Sequence, residues 1–122
     1  DPVMDTDLVL TYSVYEDYPV ITRSARLVQK GDQKIRLENV MSAAVEFPDM
    51  DYEMIHLSGA WARERYVKTR KLEMGIQAVQ SLAGTGSSSE QNPFIALKRP
   101  HTTEDTGEVF GFSFVYSGNF LA

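Results

Sequence analysis

Cysteine is absent from this chain of 122 residues, tryptophan occurs once and histidine twice. Without cysteine the chain has no disulfide framework, no thiolate nucleophile and no zinc knuckle, and its redox compartment is left open. It also lacks any run approaching the roughly 18 apolar residues of a membrane span, and no basic segment followed by an apolar one opens the chain. We therefore expect no targeting segment and no membrane partner.

Charge of either sign is moderate. The chain has 12 Lys and Arg residues against 17 Asp and Glu residues, a net charge of −5, and 43% of its residues are apolar. This composition is typical of a soluble globular protein, and the length is that of one domain that buries about two-thirds of its unfolded surface. We expect a single domain over residues 1–122. Because the chain starts at Asp1 rather than at methionine and stops in an apolar run, we interpret it as an internal piece of a longer protein.

Apolar residues recur mainly with period two, which is typical of strands with one buried face. The alternation predicts eight strands, at residues 8–15, 20–29, 35–45, 52–57, 62–73, 76–82, 94–97 and 108–116. Clusters of Gly, Pro, Asn and Asp separate them at the spacing of antiparallel sandwiches and barrels. We therefore predict an all-β protein, an antiparallel β-sandwich of about eight strands.

Residues 62–73 are open to a second interpretation, because their Arg, Lys, Glu and Leu residues have good helix propensity. They carry no apolar stripe at helical spacing, so a helix here would have no face to bury. We predict a strand. In the third predicted strand, Asn39 lies on the apolar face, and we interpret it as a hydrogen-bonded core amide.

No constellation of residues indicates catalysis or metal binding. The candidates are two neighbouring carboxylates, two Asp-x-Asp pairs and two histidines: Glu104-Asp105, Asp5-x-Asp7, Asp49-x-Asp51, His56 and His101. Neighbouring residues of a strand point to opposite faces, so the first pair is interpreted as a solvated turn. The Asp-x-Asp pairs lack the Gly and distal Glu of a calcium loop, and the histidines are far apart. We predict no catalytic residue, no metal and no cofactor, and a structural role for His56.

The segment 63–71 holds five basic residues and one acidic residue, with Trp61 and Tyr66 interleaved. This is the composition of a nucleic-acid-binding strip. The net charge of −5 argues against that function, and such a strand is more often a solvated face or an interface edge. We expect no nucleic acid. Trp61, two residues after Gly59, is suited to stacking on a sugar ring, but a core or interface tryptophan is favoured.

Four ordered stretches carry a family resemblance: HLSGAWARER at 56–65, NPFIAL at 92–97 after a Ser-rich loop, RPxTTExxGEVFGF at 99–112, and YSGNF at 116–120. Together they resemble the amino-terminal region of microbial α-galactosidases of glycoside hydrolase family 36, the melibiases. The resemblance implies a slice of a β-supersandwich domain that precedes a (β/α)8 catalytic barrel. In that family the nucleophile and the acid/base are aspartates of the barrel, to which nothing here corresponds. The parent protein is then a retaining α-galactosidase, and these residues are not themselves catalytic.

The resemblance also implies partners and a site. The partners are the catalytic barrel of the same chain, other subunits of a homo-oligomer, and α-galactosides bound by the full enzyme. The residues expected to border the pocket or face the barrel are Ser87, Ser88, Ser89, Asn92 and Trp61. Many family members carry histidine where this chain has Ser89, so any role of that imidazole near the sugar does not carry over. We expect the protein to be cytoplasmic.

Two other functions compete with this interpretation. A self-contained carbohydrate-binding module would use Trp61 and exposed tyrosines as sugar platforms. An isolated enzyme is disfavoured, because the chain shows no pair of nucleophile and base. The sequence beyond Ala122 would discriminate between these functions. A barrel with two carboxylates at its strand ends would support the α-galactosidase domain, and an unrelated linker would support the carbohydrate-binding module.

Overall fold

The structure is a computed structural model that describes residues 3–84, 89–116 and 118–122. The chain divides into two compact units, Asp1–Glu46 and Phe47–Ala122. The described residues form eight strands in three antiparallel sheets, which confirms the all-β prediction. Within the same residues, no helix has the length and apolar character needed to cross a membrane.

The first unit contains one hairpin. Strand β1 (Thr6–Val14) pairs with β2 (Ile21–Gln29) in an unbroken antiparallel register, close to the two strands predicted there. Because side chains alternate, one face of the hairpin carries mainly apolar residues, and most of them are exposed: Leu8, Leu10, Tyr12, Val14, Ile21 and Leu27. At the open end, Nε2 of Gln29 lies within hydrogen-bonding distance of the carbonyl oxygens of Met4, Gly31 and Gln33.

The predicted strand at residues 35–45 is wrong. Residues 30–52 contain no strand, and residues 36–46 are all exposed. Asn39 is among them, so it is not a core amide. Among the described residues, no strand pairs with this segment and nothing covers its apolar side, and a strand needs both.

The second unit contains a four-stranded sheet and a two-stranded one. Its strands are β3 (Glu53–Ala60), β4 (Arg63–Lys71), β5 (Gln80–Ser81), β6 (Gln91–Lys98), β7 (Val109–Ser113) and β8 (Phe120–Leu121). The larger sheet has the order β4-β3-β6-β7, and β5 pairs with β8. The prediction that residues 62–73 form a strand and not a helix is confirmed for Arg63–Lys71, whereas Ala62 lies in the turn before β4. Of the strand predicted at 76–82, only Gln80–Ser81 forms a strand, and Ile76 is 99% exposed.

The core of the second unit has two parts. Met54 of β3 packs with Val79 and Phe120, so the short β5–β8 pair closes over one face of the larger sheet. On β7, Phe110 meets Phe47 edge-to-face, and Phe47 in turn meets Tyr52. Tyr52 is only 2% exposed, so the coil that precedes β3 is held on the sheet by aromatic contacts.

Candidate functional site

Trp61 lies in the tight turn between β3 and β4, and 86% of its surface is exposed. The next residue, Ala62, adopts a left-handed backbone with φ of 61°, and its N–H donates to Oε1 of Glu64 at 2.8 Å. This side-chain bond closes the turn and fixes the direction in which the chain returns. Trp61 is therefore not a core residue but an exposed aromatic group on an ordered hairpin.

A β-bulge lies directly behind this turn. Ser58 is paired with Tyr66 but Ala60 with Arg63, so β4 contains one extra residue, and Arg65 takes up the irregularity with φ of 61°. Gly59 lies against the bulge, where an added Cβ would overlap the carbonyl oxygen of Arg63. Because only hydrogen fits at this position, Gly59 is required for the hairpin geometry that presents Trp61.

The segment at the start of β6 lies beside the same end of β3. The N–H of Gly59 donates to the carbonyl oxygen of Glu90 at 3.0 Å, and Ser58 is paired with Gln91. Nδ1 of His56 lies 3.4 Å from Oε1 of Gln91, which agrees with a structural role for this histidine. The structure thus brings the Ser89–Asn92 end of the predicted loop close to the Trp61 turn, although about thirty residues separate them in sequence.

The predicted loop residues differ in exposure. Ser89 is half-buried, whereas Asn92 is buried at the start of β6. Ser87 and Ser88 lie outside the described residues. Asn92 therefore lies inside the unit, and Trp61 is the exposed member of the described set.

The surface at the tip of the β3–β4 hairpin combines aromatic and cationic groups. A shallow depression is lined by Gly59, Ala60, Arg63 and Tyr66, and Tyr66 is more than half exposed. An indole face stacks well on the C–H groups of a sugar ring, and a guanidinium donates hydrogen bonds to hydroxyl oxygens. The tip is therefore chemically suited to border a sugar-binding pocket or to contact another protein surface.

The densest electrostatic cluster lies at the other end of β6. Arg99 donates to both carboxylate oxygens of Asp49, at 2.6 and 3.2 Å, and to Oε1 of Glu108 at 3.2 Å. It also donates to the carbonyl oxygen of Asp51 at 3.2 Å, and its guanidinium carbon lies 3.9 Å from the centre of the Tyr52 ring. We call these five residues the Arg99 clamp, because they fasten residues 49–52 to the sheet.

The pKa values of three clamp residues are shifted. The hydrogen bond from Arg99, with a further one from the N–H of Asp51, lowers the pKa of Asp49. The hydrogen bond with Asp49 raises the pKa of Arg99 in turn, and burial raises the pKa of Tyr52. The spacing Asp49-x-Asp51 thus marks a local turn around an arginine rather than a cation site. Sequence reasoning missed this clamp, because its members are about fifty residues apart and no local pattern joins them.

The remaining candidates are surface features. Glu104 and Asp105 lie in an exposed turn, where the N–H of Asp105 donates to Oγ1 of Thr103 at 3.3 Å. Asp7 is paired with Lys30 at 2.5 Å, and His101 is exposed. Within the described part of the chain, no three His, Asp or Glu side chains lie close enough together to hold a metal ion.

Fold and site together define an antiparallel β protein with an exposed tryptophan on the turn between β3 and β4. The family model described as "Glycosyl hydrolase family 36 N-terminal domain" matches residues 1–122, and the chain belongs to this family. The chain is 51% identical over 122 residues to alpha-galactosidase AgaA of Geobacillus stearothermophilus, covering 100% of this chain and 17% of AgaA. It is 44% identical over 119 residues to alpha-galactosidase 1 of Pediococcus pentosaceus, covering 98% of this chain and 16% of that protein.

Solved structures agree with the sequence comparisons. The crystal structure of the GH36 alpha-galactosidase AgaB from G. stearothermophilus matches with a TM-score of 0.92 and 49% identity, over 99% of this chain and 17% of AgaB. A variant of AgaA in complex with raffinose matches with a TM-score of 0.93 and 50% identity, over 100% of this chain and 17% of AgaA. The chain thus spans about one-sixth of the length of these relatives.

Proposed function

We propose that this chain is the non-catalytic N-terminal β domain of a larger retaining α-galactosidase, which hydrolyses terminal α-galactosides with a (β/α)8 barrel elsewhere in the same polypeptide. The observation that carries the proposal is the family match over all 122 residues, together with relatives named alpha-galactosidases that are about six times as long. The domain folds as one part of that enzyme, in the cytoplasm, and needs no cofactor of its own.

The pocket-bordering part of the proposal rests on the hairpin tip. An exposed tryptophan on an ordered turn is a costly feature for a free surface, and such residues usually meet a ligand or a partner. Gly59 and Glu64 hold the turn, and the segment from Ser89 to Asn92 supports it from the side. We therefore place Trp61 at the rim of the active-site pocket and the Ser-rich loop against the barrel.

The homo-oligomer part rests on the hairpin of the first unit. Its apolar face exposes Leu8, Tyr12, Val14 and Ile21, more apolar surface than a two-stranded hairpin normally leaves to solvent. In the proposed enzyme another subunit covers this face.

The test compares the parent enzyme with the isolated 122-residue chain on an aryl α-galactoside. We expect turnover by the parent and no turnover above a buffer blank by the chain. Turnover by the chain that is lost in Glu104→Gln or Asp105→Asn would overturn the non-catalytic assignment.

The exposure of Trp61 and Tyr66 also favours a second candidate, a self-contained carbohydrate-binding module. Calorimetric titration of the isolated chain with raffinose separates the two. A module binds the sugar without the barrel and loses the binding in Trp61→Ala. If the chain only forms the rim of a pocket, titration of the isolated chain gives no saturable heat, because most of the sugar contacts belong to the barrel.

A further inference from the structure

Strand β4 is an outer strand of the four-stranded sheet, and among the described residues no strand pairs with its outer side. From Tyr66 to Lys71 its register with β3 is uninterrupted. An antiparallel edge strand presents the N–H and C=O groups of every second residue outward. The six residues 66–71, which we call the β4 edge, therefore offer a row of outward backbone donors and acceptors with which no described strand pairs.

The charge of β4 is unusual for this acidic protein. It carries five of the seven Lys and Arg residues of the second unit and only one acidic residue: Arg63, Arg65, Lys68, Arg70, Lys71 and Glu64. The ion pairs found among the described residues of that unit use Lys98 and Arg99 instead. Arg70 donates to the carbonyl oxygen of Ala78 at 3.1 Å. Positive charge is thus concentrated on the sheet edge without carboxylate partners in the described residues.

The exposure of the apolar residues of β4 argues for an occupant of this edge. Tyr66 and Val67 lie on opposite faces of β4 and are 55% and 67% exposed, so each face of this edge keeps uncovered apolar surface beside its cations. A second copy of β4 is a poor neighbour, because like charges would lie opposite one another. A nucleic acid has no backbone N–H and C=O ladder to pair with a strand edge, and the net charge of −5 repels it.

We propose that the β4 edge receives an extended, acidic segment of the parent polypeptide that lies outside residues 1–122. The inference rests on the proposed function only for the existence of a longer chain, and relatives of about six times the length provide ample polypeptide. A covalently linked strand binds at high effective concentration. The backbone of this segment pairs with the outward N–H and C=O groups of β4. Its alternate Asp or Glu side chains neutralise Lys68 and Arg70 on one face of the sheet and Lys71 on the other.

The first experiment is carbodiimide cross-linking of the parent protein, assembled from equal amounts of unlabelled and ¹⁵N-labelled chains. The reagent joins a lysine amine and a carboxylate as an amide, with loss of water, when the two groups are in contact. We expect Lys68 or Lys71 to be joined to an Asp or Glu outside residues 1–122, with both peptides carrying the same label. Absence of such products, or products of mixed label that identify a second copy, would overturn the proposal. Exposed Lys34 serves as the reactivity control.

The second experiment measures amide hydrogen exchange in the parent protein. We expect amides of the β4 edge to be protected, and to exchange about tenfold faster when Lys68→Glu and Lys71→Glu are combined. The control pair Lys34→Glu with Arg36→Glu makes the same charge change on exposed residues and leaves that exchange unaltered. Exchange in the unaltered parent as fast as in exposed residues 36–46 would overturn the proposal, as would binding of a single-stranded oligonucleotide that requires Lys68 and Lys71. Galactosidase activity, measured in parallel, tests the proposed function separately from the pairing of the β4 edge.

Discussion

The guanidinium of Arg99 stacks on the ring of Tyr52, with 3.9 Å between its central carbon and the ring centre. Tyr52 precedes β3 and Arg99 follows β6, so the stack joins two chain segments that are 47 residues apart. The hydroxyl of Tyr52 and Nε of Arg99 share Oε1 of Glu108, each at 3.2 Å. One cation therefore joins chain segments at this end of the sheet through a cation–π contact and several directed hydrogen bonds.

Arg99→Lys should lower the unfolding temperature of the chain despite keeping the charge. An ammonium group cannot reproduce the two-pronged contact with Asp49 or lie flat on Tyr52. Arg99→Ala should lower it further. Thermal unfolding followed by circular dichroism measures both effects against Arg36→Lys, an exposed control. Equal unfolding midpoints for the Arg99→Lys and Arg36→Lys variants would contradict a stabilising role of the two-pronged contact between Arg99 and Asp49.

Acid should weaken the clamp through Asp49. Its pKa lies below the ordinary value of 3.8, first because of the hydrogen bond from Arg99 and then because of the N–H of Asp51. A carboxyl group with a depressed folded-state pKa stabilises the fold fully above its unfolded pKa, and this stability is lost as the pH falls through the folded pKa.

The stability difference between the unaltered chain and Asp49→Asn should therefore stay constant from pH 7 to about pH 5 and shrink below about pH 4. Urea unfolding at a series of pH values measures it. The pKa of Asp7 is lowered in the same sense by its hydrogen bond with Lys30, so Asp7→Asn is measured separately. A difference that grows on acidification would show that Asp49 is not stabilised as the carboxylate.

Gly59→Ala should destabilise the β3–β4 hairpin by about 1–3 kcal/mol, because the added methyl group overlaps the backbone of the bulge. Gly111→Ala is the matched control, since a Cβ there meets only a ring carbon of Phe94 at 3.8 Å. Urea unfolding gives the free energies, and emission from the single tryptophan, Trp61, reports on the turn. Equal losses for the two variants would contradict the close approach at Gly59.

Phe120→Ala should cost about 3–5 kcal/mol of unfolding free energy, since Phe120 is 7% exposed and packs with Met54 and Val79. The neighbouring Leu121 is 71% exposed, and Leu121→Ala should change stability by less than about 0.5 kcal/mol. The pair isolates core packing from strand propensity, because both residues belong to β8. Similar losses at the two positions would mean that β8 contributes through its backbone alone.

Trp61→Ala in the parent enzyme should raise KM for α-galactosides by up to about tenfold while leaving the unfolding temperature unchanged, because the side chain is exposed. Trp61→Phe should keep part of the effect, since a smaller aromatic face remains. Met74→Ala, a change at an equally exposed apolar residue, is the control. An unchanged KM with altered subunit assembly would assign Trp61 to an interface instead of the pocket.

Predictions from the sequence succeeded where the pattern is local. The alternation at 8–15 and 20–29 identified β1 and β2, and the missing helical stripe at 62–73 correctly excluded a helix. The same alternation at 35–45 led to a wrong prediction, because a period of two residues shows only that a segment is compatible with a strand. Strand β8 gave no signal, since two residues are too few to show a period.

The sequence by itself determined the β class and the family, since these depend on neighbouring residues or on ordered motifs along the chain. Only the tertiary structure decided that Trp61 is exposed, that the Ser89–Asn92 segment lies beside it, and that Arg99 gathers residues from three parts of the chain. These arrangements depend on strand pairing order, which brings together residues thirty to fifty positions apart. Local propensity carries no information about such distances, because many pairing orders satisfy the same alternation.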